Sequence, residues 1–130
     1  MSQEAVELAR AAYERLARGD FALAAELPED FELVLAPEMP DAGSYRGESA
    51  RRWLQSWVES FDRLSIEPVA FTDAGDRVVV EFIQRGWSGG AKAPVELRTW
   101  DVLIVRDGTL RRSELFVTRA EALEAAGLSE

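Results

Sequence analysis

The stretch "LRTWDVLIVRDG", Leu97–Gly108, decides how the rest of the chain is read. Apolar and polar residues alternate along it, and Asp107-Gly108 closes it as a hairpin turn. Counting from Val95, alternation puts Val95, Leu97, Thr99, Asp101, Leu103 and Val105 on one face. Glu96, Arg98, Trp100, Val102, Ile104 and Arg106 fall on the other. Large apolar side chains occupy both rows, so the segment reads as a central strand covered on two sides. A carboxylate, Asp101, stands in the more apolar row.

The segments around it extend a sheet. Upstream, "RVVVEFIQRGW" sets Val78, Val80, Phe82 and Gln84 on one face and Val79, Glu81, Ile83, Arg85 and Trp87 on the other. Before that, "LSIEPVAFTD" reads as an edge strand, because Pro68 has no N–H to give to a ladder. Downstream, "TLRRSELFV" completes the hairpin. Far upstream, "FELVLAP" supplies a first strand with Phe31, Leu33 and Leu35 on one side, and residues 37–47, rich in Pro and Gly, read as an irregular loop.

Helices flank these strands. Residues 4–18 place Val6, Ala9, Tyr13 and Leu16 on one helical face. Asp20 is positioned to cap a short helix running to about Glu26, which Pro28 stops. After Gly47, "ESARRWLQSWVESFD" carries the stripe Ala50, Trp53, Leu54, Trp57, Val58 and Phe61. The C-terminal segment opens on the capping box Thr118-x-x-Glu121 and ends at Gly127. Helices first and an antiparallel meander after them predict an α+β fold, a single domain over residues 1–130.

Composition narrows the chemistry. With 47% hydrophobic and 30% charged residues the chain is globular. No apolar run approaches the roughly 20 residues of a membrane span, and "MSQEAVELAR" is acidic and amphipathic, unlike a signal peptide; a cytoplasmic protein is expected. Cys and His are both absent, which excludes thiolate nucleophiles, imidazole proton shuttles and the common zinc ligands. Acid–base work falls to Asp, Glu, Tyr, Arg or the lone Lys92. No metal site and no cofactor are expected, since the carboxylates do not cluster and "GWSGGAKAP" matches no phosphate-binding loop. A formal charge of −9 repels phosphate backbones, so nucleic acid is not an expected partner. Basic residues that are almost all Arg, in an Ala-rich chain, fit the coding of a GC-rich bacterial genome.

Three large aromatics at i, i+4 and i+8 (Trp53, Trp57, Phe61) either pack a core or wall a ligand pocket, and both readings can hold together. For Asp101 three readings stand: a satisfied structural carboxylate, a catalytic or ligand-contacting one, or an outward residue in a shifted register. A two-residue turn at Asp107-Gly108 pairs Asp101 with Glu114. A three-residue loop with a bulge pairs it with Leu115 and leaves Gln84, Tyr13, Tyr45 or an Arg as partners. Arg46, Arg51 and Arg52 are either a solvated helix face or an attractor for an anion, and Asp41 and Glu48 read as loop and helix-start charges. The opposite row, Trp100, Val102 and Ile104 beside Ile83 and Trp87, forms an apolar outer patch; a homodimer through it is expected.

The ordered set "LARGDFALAAEL", "FELVLAP", "YRGESARRWLQSW", "DRVVVEF" and "VLIVRDGTLRRSELFVTRAEALEAAGL" resembles the SnoaL-like group of the NTF2-like superfamily over nearly the whole chain. The resemblance implies an NTF2-like (cystatin-like) cone: N-terminal helices on a curved, mainly antiparallel sheet, a short C-terminal helix, and a dimer through the sheet. It also implies a pocket for a small hydrophobic or cyclic molecule, walled here by Tyr13, Leu35, Tyr45, Trp53, Trp57, Phe61, Phe82, Gln84 and Leu115. Polyketide cyclases of this group place a His where Asp101 stands and an acid where Leu115 stands. Epoxide hydrolases carry acids at positions resembling Gln84 and Leu115, and steroid isomerases take a base near Leu35. None of these sets is complete, so Asp101 remains as the catalytic candidate for cyclisation, isomerisation or dehydration. The alternative is a non-catalytic binding or interaction module with a filled interior. The resemblance favours the bulged register, with Asp101 beside Leu115.

Overall fold

The computed structural model describes residues 2–129. Helix α1 (Ser2–Ala17) and a 3-10 helix (Phe21–Glu26) precede strands β1 (Glu32–Leu35) and β2 (Gly43–Arg46). Helix α2 (Glu48–Glu59) follows, then the meander β3 (Arg63–Ala74), β4 (Arg77–Trp87), β5 (Val95–Arg106) and β6 (Thr109–Phe116), and helix α3 (Arg119–Ala125). The six strands form one sheet in the order β2-β1-β6-β5-β4-β3. All neighbours are antiparallel except β1 and β6, which run parallel. Strand β3 is an edge strand with a bulge between Pro68 and Ala70, as the missing proline N–H requires. Among the described residues no helix is long and apolar enough to cross a membrane.

Two cores lie on opposite faces of the sheet. The larger joins Ala5, Ala9 and Tyr13 of α1 to Leu33, Leu35, Val78, Val80, Phe82, Leu103 and Leu115. Alanines on the buried face of α1 let the helix lie close to the sheet, while Val6 and Leu16 pack at its margin. The smaller core puts Ala122, Leu123 and Ala126 of the C-terminal segment against Val79, Val102 and Phe116. Burying Leu123 alone contributes about 2 kcal/mol, enough to hold so short a helix in place. Thr118 Oγ1 accepts from Glu121 N–H at 3.3 Å and donates to the Glu121 carboxylate at 2.7 Å, a variant of the expected capping box.

The second core corrects the outer patch. Val102 is only 2% exposed because α3 lies on it, and Ile83 is buried too; Trp87, Trp100 and Ile104 are half-buried. Ion pairs run between them, Arg85 bridging Glu67 and Glu96, and Arg98 meeting Glu81. Two local expectations also change. Residues 43–46 are not loop but strand β2, paired with β1, since four residues between Pro and Gly are too few to show alternation. Asp20 makes no side-chain cap; Arg15 Nε takes its carboxylate at 2.8 Å.

The β5–β6 hairpin combines the two registers that the sequence left open. Arg106 faces Thr109 across a two-residue turn, with Asp107 at φ 53° and Gly108 at φ 70°, the positive pair of a type I′ turn. The ladder then slips by one at Arg111, between the Val105–Leu110 and Ile104–Arg112 pairs. The turn is tight and the bulge sits in the strand, so Asp101 faces Leu115.

Candidate functional site

Between the concave sheet face and the helices lies a cavity of about 1000 Å³, the upper range for small-molecule sites. Its floor is the inward row of β4, β5 and β6: Phe82, Gln84, Asp101, Leu103, Ser113 and Leu115. Tyr13 and Leu16 of α1 close one side, Trp53 and Trp57 of α2 another, and the 3-10 helix a third. Glu48, Arg51 and Arg52 also lie on its boundary. Arg51 ties α2 to the Pro28 carbonyl at 3.2 Å, while Arg52 pairs with Glu48 at 3.2 Å one turn back on the exposed face of the same helix.

Asp101 is 4% exposed and, among the described residues, is the single carboxyl side chain on the sheet floor of this cavity. Tyr13 donates its hydroxyl to Oδ2 at 2.6 Å, and Ser113 donates to Oδ1 at 2.6 Å. Burial raises the Asp101 pKa from 3.8 to about 6, and the Ser113 and Tyr13 hydrogen bonds hold it back from rising further. Burial, then the charge of Asp101, pushes the Tyr13 phenol well above its ordinary value. Tyr13 thus stays a donor over the whole neutral range. Ser113 escaped sequence reading, because its register opposite Leu103 depends on the bulge at Arg111.

Gln84 lies further along β4, also inward and 8% exposed. Trp57 Nε1 donates to its Oε1 at 2.7 Å, and its Nε2 donates to Thr99 Oγ1 at 3.3 Å. Trp57 stacks on Trp53 with centroids 5.7 Å apart and planes 7° from parallel. Trp53 is anchored in turn by Nε1 donating to Asp41 at 3.1 Å. Asp41, read from sequence as a loop charge, is thus a support for the aromatic wall.

Of the wall residues expected from sequence, Tyr13, Leu35, Trp53, Trp57, Phe82, Gln84 and Leu115 line the cavity. Tyr45 and Phe61 do not. Tyr45 lies on strand β2, its ring beside Trp53 and its hydroxyl bonded to the Asp41 carbonyl at 2.7 Å. Phe61 follows the end of α2 and stands edge-on to Trp57. Its ring rests on Gly86, where a Cβ would come within 2.4 Å of it. That contact fixes the helix end and keeps Phe61 behind the wall. Among the described residues no group of carboxylates is placed to hold a metal ion.

A curved sheet wrapped on helices, with an apolar cavity and one buried carboxylate in it, defines a small α+β pocket domain. The chain belongs to the SnoaL-like domain family, whose sequence pattern matches residues 9–113. No curated protein matches it by sequence. Similar solved structures include a protein from Jannaschia sp. CCS1 assigned as a SnoaL-like polyketide cyclase, 20% identical with TM-score 0.72, covering 96% of this chain and 92% of that one. An NTF2-like protein from Burkholderia xenovorans LB400 is 25% identical with TM-score 0.65, covering 97% of each chain. TerC, co-crystallized with polyporic acid, is 21% identical with TM-score 0.71, covering 95% of this chain and 98% of that one. The fold is accordingly the NTF2-like cone.

Proposed function

We propose that the cavity binds a small apolar, ring-containing molecule and that Asp101 moves a proton on it without a cofactor. The observation that carries this reading is a buried carboxylate, pKa about 6, opening onto an aromatic-walled cavity of about 1000 Å³. At pH 7 such a group is mostly ionised yet poorly solvated, which suits a general base. Removal of a proton next to a ketone breaks the C–H bond, sends its electron pair toward the ketone oxygen and leaves the proton on the carboxylate. Cyclisation, isomerisation and dehydration can all begin with that step. TerC, of similar fold, was co-crystallized with polyporic acid, which supports this fold meeting a ring-containing organic molecule.

The test is hydrogen–deuterium exchange at the α-carbons of 4-androstene-3,17-dione, an apolar fused-ring ketone with a carbonyl at each end, followed by NMR in deuterated buffer. The protein should accelerate exchange and Asp101→Asn should return it to the buffer rate. Equal exchange with both proteins would end the catalytic reading. A second reading, binding without chemistry, is favoured by one fact: each Asp101 oxygen already holds a hydroxyl. Saturable binding with no exchange is its signature.

We also propose a two-fold homodimer through the outer sheet face beside α3, supported by the half-buried apolar side chains Trp87, Trp100 and Ile104 there.

A further inference from the structure

The cavity has two polar poles on its floor, and they are chemically opposite. Asp101 lies across from Val80, and Gln84 is four residues further along the same strand, a separation of roughly 13 Å at the rise of an extended chain. The ring of Phe82 lies between them. Asp101 presents a carboxylate. What Gln84 presents depends on which way its amide points, and the surroundings settle that. An indole N–H only donates, so Trp57 at 2.7 Å requires the Gln84 oxygen on its side. The amide nitrogen is thereby turned toward Thr99, with which it makes a single hydrogen bond at 3.3 Å. That nitrogen carries two hydrogens. The second has no protein partner among the described residues, although the side chain is more than nine-tenths buried and lines the cavity. A buried donor left over in an apolar chamber is costly unless a guest accepts from it.

We propose that Gln84 is a specificity-determining donor. It selects uncharged, elongated ring compounds carrying a carbonyl or similar acceptor at the Trp57 end, and so turns their far end toward Asp101. This rests on the pocket reading above and adds the polarity and orientation of the guest. The Trp57–Gln84–Thr99 chain is its positioning device, since Trp57 locks the amide and is itself held flat on Trp53. An anionic guest is disfavoured on this floor, because the Asp101 carboxylate lies on it.

The probes are 1-tetralone and tetralin, which share a two-ring skeleton and differ in one carbonyl. Tryptophan fluorescence titration should give about five- to tenfold tighter binding for tetralone, the worth of one hydrogen bond. Gln84→Met, similar in volume and without a donor amide, should bind both probes equally. In the unaltered protein, tetralone should shift one Gln84 side-chain amide proton in the NMR spectrum and tetralin should not; this readout stands even if the Met variant folds poorly. Equal affinity for the two probes, or an unmoved Gln84 amide with tetralone bound, overturns the donor role and leaves the pocket reading intact. Failure of both probes to bind overturns the two together.

Discussion

Replacing Asp101 by Asn removes an ionisable group while keeping its shape, and its effect on stability depends on pH in a calculable way. Burial favours the neutral acid, so the folded chain holds the Asp101 proton more tightly than the unfolded chain does. The stability this confers is fully present below the ordinary pKa of 3.8 and is lost as pH rises through about 6. Each tenfold difference in proton affinity is worth about 1.4 kcal/mol, so the loss across this window is about 3 kcal/mol. Asn does not titrate. Its oxygen can accept from one of the two hydroxyls, and its amide can donate to the other once that hydroxyl rotates. Other carboxylates titrate in the opposite sense. Asp20, Glu26 and Glu121 have lowered values through hydrogen bonds to Arg15, Arg15 and Thr118, and stability due to them is lost as pH falls. They are common to both proteins and cancel in the difference. Urea denaturation of the two proteins at intervals from pH 4 to 8 should show Asp101→Asn gaining about 3 kcal/mol on the parent as pH rises, with most of the change between pH 4 and 7. A difference that stays flat across the range would refute the burial of an ionised Asp101.

Tyr13→Phe removes one of the two hydrogen bonds that restrain the Asp101 pKa, so that value should rise above about 6 and the chain should lose about 1.5 kcal/mol at pH 7. Carbon-13 NMR titration of the Asp101 carboxyl checks the first, and an unchanged value would show that Tyr13 does not act on it. Sedimentation equilibrium at micromolar concentration should give twice the 14.5 kDa chain mass, and Trp100→Glu should return it to the single-chain mass. A strictly monomeric parent would remove the dimer.

Much of this protein was legible in its sequence. Period-two alternation is a local property, so the inward rows Val78–Gln84 and Leu97–Val105 could be read without tertiary knowledge, as could the Pro68 edge strand and the aromatic stripe of α2. The ordered segments carried the family as well. What escaped depended on contacts between distant residues. Strand β2 exists because β1 offers it a ladder, not because "GSYR" has a pattern. Val102 is covered because a seven-residue helix finds the outer sheet face. The stripe on α2 divides at Phe61, since a ring placed just after the helix end obeys Gly86 and not the helical period.

Asp101 shows the division most clearly. From the sequence by itself came an acid in an apolar row, a short menu of other acid–base groups, and two possible partners across the hairpin. The tertiary structure decided that the turn is two residues long and that the strand nonetheless slips at Arg111. That slip sets Leu115 opposite Asp101, brings Ser113 to the carboxylate's Oδ1 and leaves Glu114 on the opposite face from Asp101. A bulge is a compromise between a turn that suits its own backbone and a sheet that must keep its apolar row inward. Residues far apart in the chain impose that compromise, so no local pattern announces it.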